Sequence, residues 1–546
     1  MLLFCEIRQL LVKLQNEMNK KLQVWLPLLF SLVMILGMFF GYQLRDNMGF
    51  NRKGFFSKEK TTPLQEIINL INAKYVDTVG IDTLGSKAIN DILSELDPHS
   101  IYIPADNLKS INEDLDGNFE GIGVEFDVIN DTVNIINVLP DGPSDKAGIQ
   151  TGDRFIKIND SVIAGVHITG DRMKKLLRGE AGTKVTVSLL RGNEKKNIDI
   201  TRGIIPLKSV EAAYLLQPGI GYIRLNKFSR KTYEEFMEAL DTLSNHGMKK
   251  LMLDLRGNGG GILEDAVQIA DEFLDDNKLI VYTKGAHSPR IDYNAKRPGL
   301  FEDGKLVVLV DEFSASASEV LAGALQDWDR ATIIGRRSFG KGLVQEPFAL
   351  ADGSQLRLTV ARYYTPVGRN IQKPYNKGID AYSEEVYNRY HNGEMVVADS
   401  NKTTGPAYKT PKGHIVYGGG GIMPDIFVPI DTAGSSKVIS QLYEKQTLYN
   451  FIYRYFLANI TALKSFKTIG DFDKGFSVDE KVWKSFTDFA SKDSINLLNI
   501  PAKEKEFLMQ HIKSYLAQQV WGRSGFYEEA NKQDKVVLKG LEELLR

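Results

Sequence analysis

Apolar positions recur along the chain in several textures, and each predicts a different kind of element. Leu22 to Tyr42 is an uncharged run of about 20 residues, long enough to cross a bilayer as one helix. From Leu64, the residues Ile67, Ile68 and Ile71 fall at helical spacing, and Ile89, Ile92, Leu93 and Leu96 do so again until Asp97-Pro98 ends the run. Between Asn112 and Gly203 the period drops to two, as in Val133 to Val138 and Val185 to Leu190, with glycine and proline turns between the strands. From Tyr222, strand, glycine-rich turn and helix succeed one another, the rhythm of an α/β layer fold. Beyond Ile430 runs a charged helical tail, in which Leu508, Ile512, Leu516 and Val520 form a stripe and Gly522 is the expected stop.

These textures divide the chain into an N-terminus (1–21), a membrane anchor (22–42), a linker (43–62), a helical part (63–111) and a β-rich domain (112–204). An α/β core follows (205–430), interrupted by a polar, tyrosine-containing segment (376–412), and then a helical extension (431–546). A chain of 546 residues is too long for one core, which fits this division. Lys13, Lys20 and Lys21 precede the apolar run and favour a cytoplasmic N-terminus, against Arg45, Arg52 and Lys53 on the other side. No small-x-small cleavage site follows the run, which ends in Met38-Phe39-Phe40. A single-pass protein of the cell membrane is therefore expected, its folded body outside, in the periplasm if the envelope is Gram-negative.

Charge and cysteine content narrow the chemistry. Lysine plus arginine number 68 against 69 acidic residues, so no net field favours nucleic acid as a partner. Cys5 is the only cysteine, which excludes an intramolecular disulfide, a zinc ribbon and a thiol nucleophile in the body. The histidines include no close metal-binding pair; His99 and His246 read as structural, and no metal or cofactor is expected.

The candidate chemistry sits at three turns. Leu306 to Val310 reads as a buried strand, and Ser314-Ala315-Ser316-Ala317-Ser318-Glu319 leads from it into a helix. A serine there gains an exposed hydroxyl, free backbone N–H groups and the helix dipole, which an oxyanion needs. The same residues make a helix cap, since Glu319 stands three positions after Ser316. The second turn, Gly340-Lys341-Gly342, follows another short strand. A lysine serves as a base only when neutral, and apolar burial favours that form; Gln345 is near enough in sequence to orient the amine. The third, Arg256-Gly257-Asn258-Gly259-Gly260-Gly261, follows the strand Leu251 to Leu255 and lets the main chain approach a ligand. It lacks the glycine of a dinucleotide fingerprint, where Ile262 stands, and the serine of a chymotrypsin-like loop, where Gly259 stands.

Taken together these motifs resemble the carboxyl-terminal processing peptidases, or tail-specific proteases, over roughly Leu64 to Pro429. The likeness also uses Leu96-Asp97-Pro98-His99-Ser100, Asp254-Leu255-Arg256, Arg362-Tyr363-Tyr364-Thr365-Pro366 and Pro424-Asp425-Ile426. It implies a ClpP/crotonase-like α/β core with Ser316 as nucleophile, about 25 residues before Lys341 as base in a Ser–Lys arrangement. Gln345 would orient the lysine. Ala317 N–H with Gly260 or Gly261 would form the oxyanion hole. The β-rich domain resembles a PDZ domain, with Gly121-Ile122-Gly123-Val124 as the loop that captures a terminal carboxylate.

The resemblance thus implies a serine endopeptidase acting on proteins or peptides recognised by their C-terminal ends. Two other classes compete: a catalytically idle, membrane-anchored PDZ scaffold, and a crotonase-type acyl-CoA enzyme. A homo-oligomer is compatible with the tail, about which the resemblance says nothing.

Overall fold

The computed structural model describes residues 20–47, 62–275, 277–397 and 405–546. Residues 1–19 of the expected cytoplasmic N-terminus, linker residues 48–61 and positions 398–404 of the interrupting segment lie outside the described residues. The chain forms two compact units, Met1–Gly85 and Ser86–Arg546.

In the first unit, the expected anchor lies within a helix, Lys20–Asn47, that contains Pro27. Its apolar side chains from Trp25 to Met38 are exposed. Among the described residues no helix is long and apolar enough to cross a membrane. The side chains of 20–24 and 39–47, which hold both ends of the uncharged run, are outside that description. A second helix, Pro63–Lys74, starts on Thr62, whose side chain accepts from Gln65 N–H.

The second unit is built on a six-stranded sheet: β1 (Val210–Gln217), β2 (Ile220–Leu225), β3 (Lys250–Asp254), β4 (Leu306–Val310), β5 (Thr332–Gly335) and β6 (Ile426–Phe427), in that spatial order. β1 is antiparallel to β2; every other pairing is parallel. Strands β3 and β4 read as continuous apolar runs because both faces are covered. One face, with Leu251, Leu253, Val308 and Val310, packs on helices α1 (Thr232–Asn245), α2 (Leu263–Asp271) and α3 (Ala317–Asp327). The other, with Met252, Val307, Leu309 and Ile334, packs on the last helix, α4 (Lys535–Leu545), through Val536, Val537 and Leu544.

The sequence suggests an extension at 431–546, but the final helix is a layer of the core. An apolar stripe shows that a helix has a face to bury, not which distant surface it buries it on. The rest of the extension has its own aromatic-rich core, including Phe451, Phe456, Phe472 and Phe486. Leu508, Ile512 and Leu516 are fully buried there, and the backbone leaves the helical region at Gly522 (φ 65°, ψ −156°).

A second sheet holds the hairpin Leu343–Ala349/Gln355–Tyr364, the strands Leu279–Lys284 and Ile291–Asn294, and a short N-terminal strand, Ile101–Ile103. The N-terminal strand pairs with Gln355–Arg357, which ties residues 101–103, just before the β-rich domain, into the core. The β-rich domain is a separate sheet from Val124 to Thr201. Its entry and exit, Asn118–Gly121 and Gly203–Pro206, pair with each other as a two-stranded stalk.

Docking of α4 makes a testable difference between neighbouring residues. Val537→Asp puts an unpaired carboxylate against the sheet and is expected to lower stability by about 3 kcal/mol. Leu538→Asp, at an exposed position, is expected to change it by about 0.5 kcal/mol or less. Urea unfolding of the two variants measures this, and equal losses would contradict the packing.

Candidate active site

In a parallel sheet the loops that follow neighbouring strands gather at one edge. β3, β4 and β5 are adjacent, so the glycine turn after β3, the serine turn after β4 and the lysine turn after β5 meet there, although they are far apart in the chain.

Hydrogen bonding distinguishes the three serines. Ser314 Oγ donates to the Leu255 carbonyl (2.8 Å) and accepts from Asp311 N–H (2.9 Å). Ser318 Oγ donates to the Asn258 carbonyl (2.9 Å), which also accepts from Ala315 N–H (2.9 Å). Both outer hydroxyls therefore lash the serine turn to the glycine turn. Ser316 has φ 54° and ψ −114°, a region that costs a non-glycine residue about 1–3 kcal/mol. Its hydroxyl faces Glu319 N–H as in a capping box, but that N–H is committed to the Ser316 carbonyl (2.8 Å), and the hydroxyl makes no cap hydrogen bond. The Ser316 side chain also faces the buried phenol of Tyr363, whose pKa burial pushes up.

The strain at Ser316 is held by Glu319. This fully buried carboxylate accepts from Ser316 N–H (2.9 Å) and Lys341 N–H (2.8 Å) on one oxygen, and from Gly340 N–H (2.7 Å) and Ser338 Oγ (2.5 Å) on the other. Burial raises its pKa, and the four donors oppose that rise. In the sequence Glu319 reads only as a cap; the signal for more is that it is the only charged residue between Glu312 and Asp327.

Lys341 is largely buried, and loss of hydration lowers its pKa. Glu319 and Asp97 oppose that shift, and Arg357 adds to it. Among the described residues no hydrogen bond joins Lys341 Nζ to Ser316 Oγ. Gln345 Nε2 instead donates to Thr359 Oγ1 (3.4 Å), which donates to Asp97 Oδ1 (3.0 Å). Asp97 also fixes its own turn, accepting from His99 N–H (2.8 Å) and from Ser100 N–H (2.9 Å) and Oγ (2.6 Å). His99 bonds the Tyr382 hydroxyl at 2.8 Å, and burial, reinforced by Lys341, lowers its pKa to about 4.

In the glycine turn, Gly260 N–H donates to Asn258 Oδ1 (2.9 Å), whereas Gly261 and Ala317 N–H have no partner among the described residues. Gly260 has φ 93°, and a Cβ there would fall 2.8 Å from Ser316 Cβ and 2.9 Å from Ala317 N, so no side chain fits. Beneath the turn, the buried Asp254 carboxylate accepts from Tyr222 (2.7 Å), Arg224 (2.8 Å) and Arg256 (2.7 Å). Burial alone would raise its pKa; the two guanidinium groups hold it well below the usual carboxylate range. Arg256 continues to Asp534 (2.8 Å), the residue that caps α4.

In the β-rich domain, the Ile122 and Gly123 carbonyls accept from Ser144 and Leu139 N–H (3.0 Å each), while the Ile122 and Gly123 N–H groups have no partner among the described residues. The loop opens onto Val124–Ile129, an edge strand paired only with Thr132–Val138. Two unspent N–H groups beside an open strand edge suit a peptide carboxylate.

Comparison with known proteins identifies the family. A family model for Peptidase family S41 matches residues 219–381, one for the PDZ domain matches 121–201, and a family of unknown function (DUF8443) matches 438–522. The chain is 33% identical over 410 residues to a probable CtpA-like serine protease of Staphylococcus haemolyticus, covering 73% of this chain and 81% of that one. It is 37% identical over 313 residues to a carboxy-terminal-processing protease of Bartonella bacilliformis, covering 56% and 71%. A solved photosystem II D1 C-terminal processing protease is 31% identical over 56% of this chain and 89% of its own, with a TM-score of 0.33. The chain therefore belongs to peptidase family S41, the carboxy-terminal-processing serine proteases, and carries a PDZ domain.

Proposed function

We propose that this serine peptidase cuts proteins whose C-terminal ends dock on the Gly121–Val124 loop, using Ser316 as nucleophile and Lys341 as general base. The observation that carries the site assignment is the division of labour among the serines: Ser314 and Ser318 donate to main-chain carbonyls, whereas among the described residues the Ser316 hydroxyl donates to none, and the N–H groups of Ala317 and Gly261 are free. In the reaction the neutral Lys341 amine takes the Ser316 proton as the oxygen bonds to the substrate carbonyl carbon. The carbonyl oxygen gains the negative charge, and Ala317 and Gly261 N–H donate to it. Collapse breaks the C–N bond, with the proton passing from Lys341 to the leaving amine. Water, deprotonated by the same amine, then releases the acyl group and regenerates Ser316.

Because Lys341 Nζ is not bonded to Ser316 here, closure of that pair belongs to the substrate-bound state. Gln345 contributes at one remove, through Thr359 and Asp97, to the wall beside the lysine. The uncharged run within Lys20–Asn47, with lysines before it, supports a single-pass anchor that holds the peptidase on the outer side of the cell membrane.

Ser316→Ala and Lys341→Ala are each expected to abolish hydrolysis of a peptide substrate, whereas Ser314→Ala is expected to retain activity and lose about 1 kcal/mol of stability with its buried hydrogen bond. Turnover by Ser316→Ala would overturn the assignment. Activity needs the unprotonated amine, so kcat/KM is expected to rise with pH through a midpoint below that of an ordinary lysine, since burial lowers the Lys341 pKa. A rise centred at or above the ordinary lysine value would contradict a buried base. A peptide with a free C-terminus is expected to be cut faster than its amidated form; equal rates would remove the carboxylate-reading role from Gly121–Val124.

A further inference from the structure

Lys341 is carried by a turn, Arg337 to Lys341, that has no helix or strand of its own. The aim of its side chain therefore depends on what grips this main chain. Glu319 grips the N–H groups of Gly340 and Lys341 from the side of α3. The carbonyls are gripped from another element by Arg389, in the segment that interrupts the core. Arg389 is 2% exposed, and its guanidinium donates to the carbonyls of Arg337 (3.0 Å), Ser338 (2.9 Å) and Phe339 (3.2 Å). Its Nε binds Glu385 (2.8 Å), which also receives Arg337 (3.1 Å) and Lys373 (3.1 Å). Lysine has no planar fork with which to serve three carbonyls and a carboxylate together.

The burial of Arg389 is selective. In the same short helix, Glu385–His391, Tyr387 and Tyr390 are exposed. The segment also touches the other side of the lysine, because Tyr382 bonds His99, and His99 is one of the groups whose charge senses Lys341.

We infer that Arg389 is a positioning residue for the Lys341 amine: it clamps the carbonyls of the lysine turn while Glu319 clamps its N–H groups, so the base leaves a main chain fixed from both sides. The segment 376–412, which has no explanation in the sequence, thereby acquires a role in the chemistry. The inference rests on the reading of Lys341 as the base.

The test is Arg389→Lys in the full chain, assayed by steady-state hydrolysis of one peptide across pH. The charged and titratable groups facing Lys341 are Glu319 from α3, Asp97 and His99 from the N-terminal turn, and Arg357 from the hairpin, and none of these is altered. Expected are a fall in kcat of about tenfold or more near neutral pH and a KM within about twofold of wild type. The rise of kcat/KM should also move to higher pH, because a loosened turn admits water to the amine. A purely structural role would lower kcat equally at every pH with the midpoint unmoved, and that result, like unchanged kcat, would overturn the inference. If Arg389→Lys does not fold, Glu385→Gln removes the charged partner of Arg389 Nε and must shift the profile in the same direction; an unmoved profile there is equally contrary. Tyr387→Ala, exposed on the same helix, serves as the unchanged control. Lys341→Ala, run beside them, separates the two failures. Turnover without Lys341 would sink the base assignment, whereas a dead Lys341→Ala with a wild-type-like Arg389→Lys would sink only the clamp.

Discussion

Two turns that are separate in sequence become one site through a single buried carboxylate. Glu319 accepts hydrogen bonds from Ser316, Ser338, Gly340 and Lys341, so the backbone of the proposed nucleophile and the backbone of the proposed base share one acceptor group. A carboxylate is the side chain that fits, because it has two acceptor oxygens and no donor to oppose four donors. Hydrogen bonds to a charged group contribute about 1.5–3 kcal/mol each, and a buried N–H left unpaired costs about 1–3 kcal/mol, a range that covers the strain of Ser316 at φ 54°. The carboxylate thus holds Ser316 in a conformation that the residue would not adopt alone.

Around that carboxylate the parallel sheet provides the frame. Strands β3, β4 and β5 run side by side in one direction, so a glycine turn, a serine turn and a lysine turn arrive at one edge without any of them being specialised for meeting. The glycine turn is secured from below by Asp254, Arg224 and Arg256, and Arg256 reaches on to Asp534 at the start of α4. The C-terminal region is thereby connected to the catalytic edge by an ion pair and to the sheet by apolar packing. Membership of a serine peptidase family leaves the idle-scaffold and acyl-CoA readings without support.

Much of this was legible in the sequence, and the illegible remainder has a common cause. The strands bearing the site are short apolar runs followed by turn residues, a local signal, and their positions agree with the structure to within a residue or two. Val133–Val138 and Val185–Leu190 likewise fall in the PDZ sheet, and the helical stripe ends its regular conformation at Gly522. What local pattern does not contain is the identity of a distant partner. Ser314, Ser316 and Ser318 look alike until the carbonyls of Leu255 and Asn258 claim two of them. Glu319 reads as a cap because its other partners lie beyond the end of its own helix. Gln345 is close to Lys341 in sequence, yet its bond is to Thr359, across the hairpin. The apolar stripe of α4 gave no hint of the sheet it covers, and the polar segment after Tyr375 none of the buried Arg389.

The most direct test of the central claim, that Ser316 is the one reactive hydroxyl and Lys341 the group that activates it, is to map the adduct of a fluorophosphonate probe by tandem mass spectrometry. The wild-type chain is predicted to carry a single phosphonyl group on Ser316, and Lys341→Ala to carry none. An adduct on Ser314 or Ser318, or equal labelling of Lys341→Ala, would contradict the account.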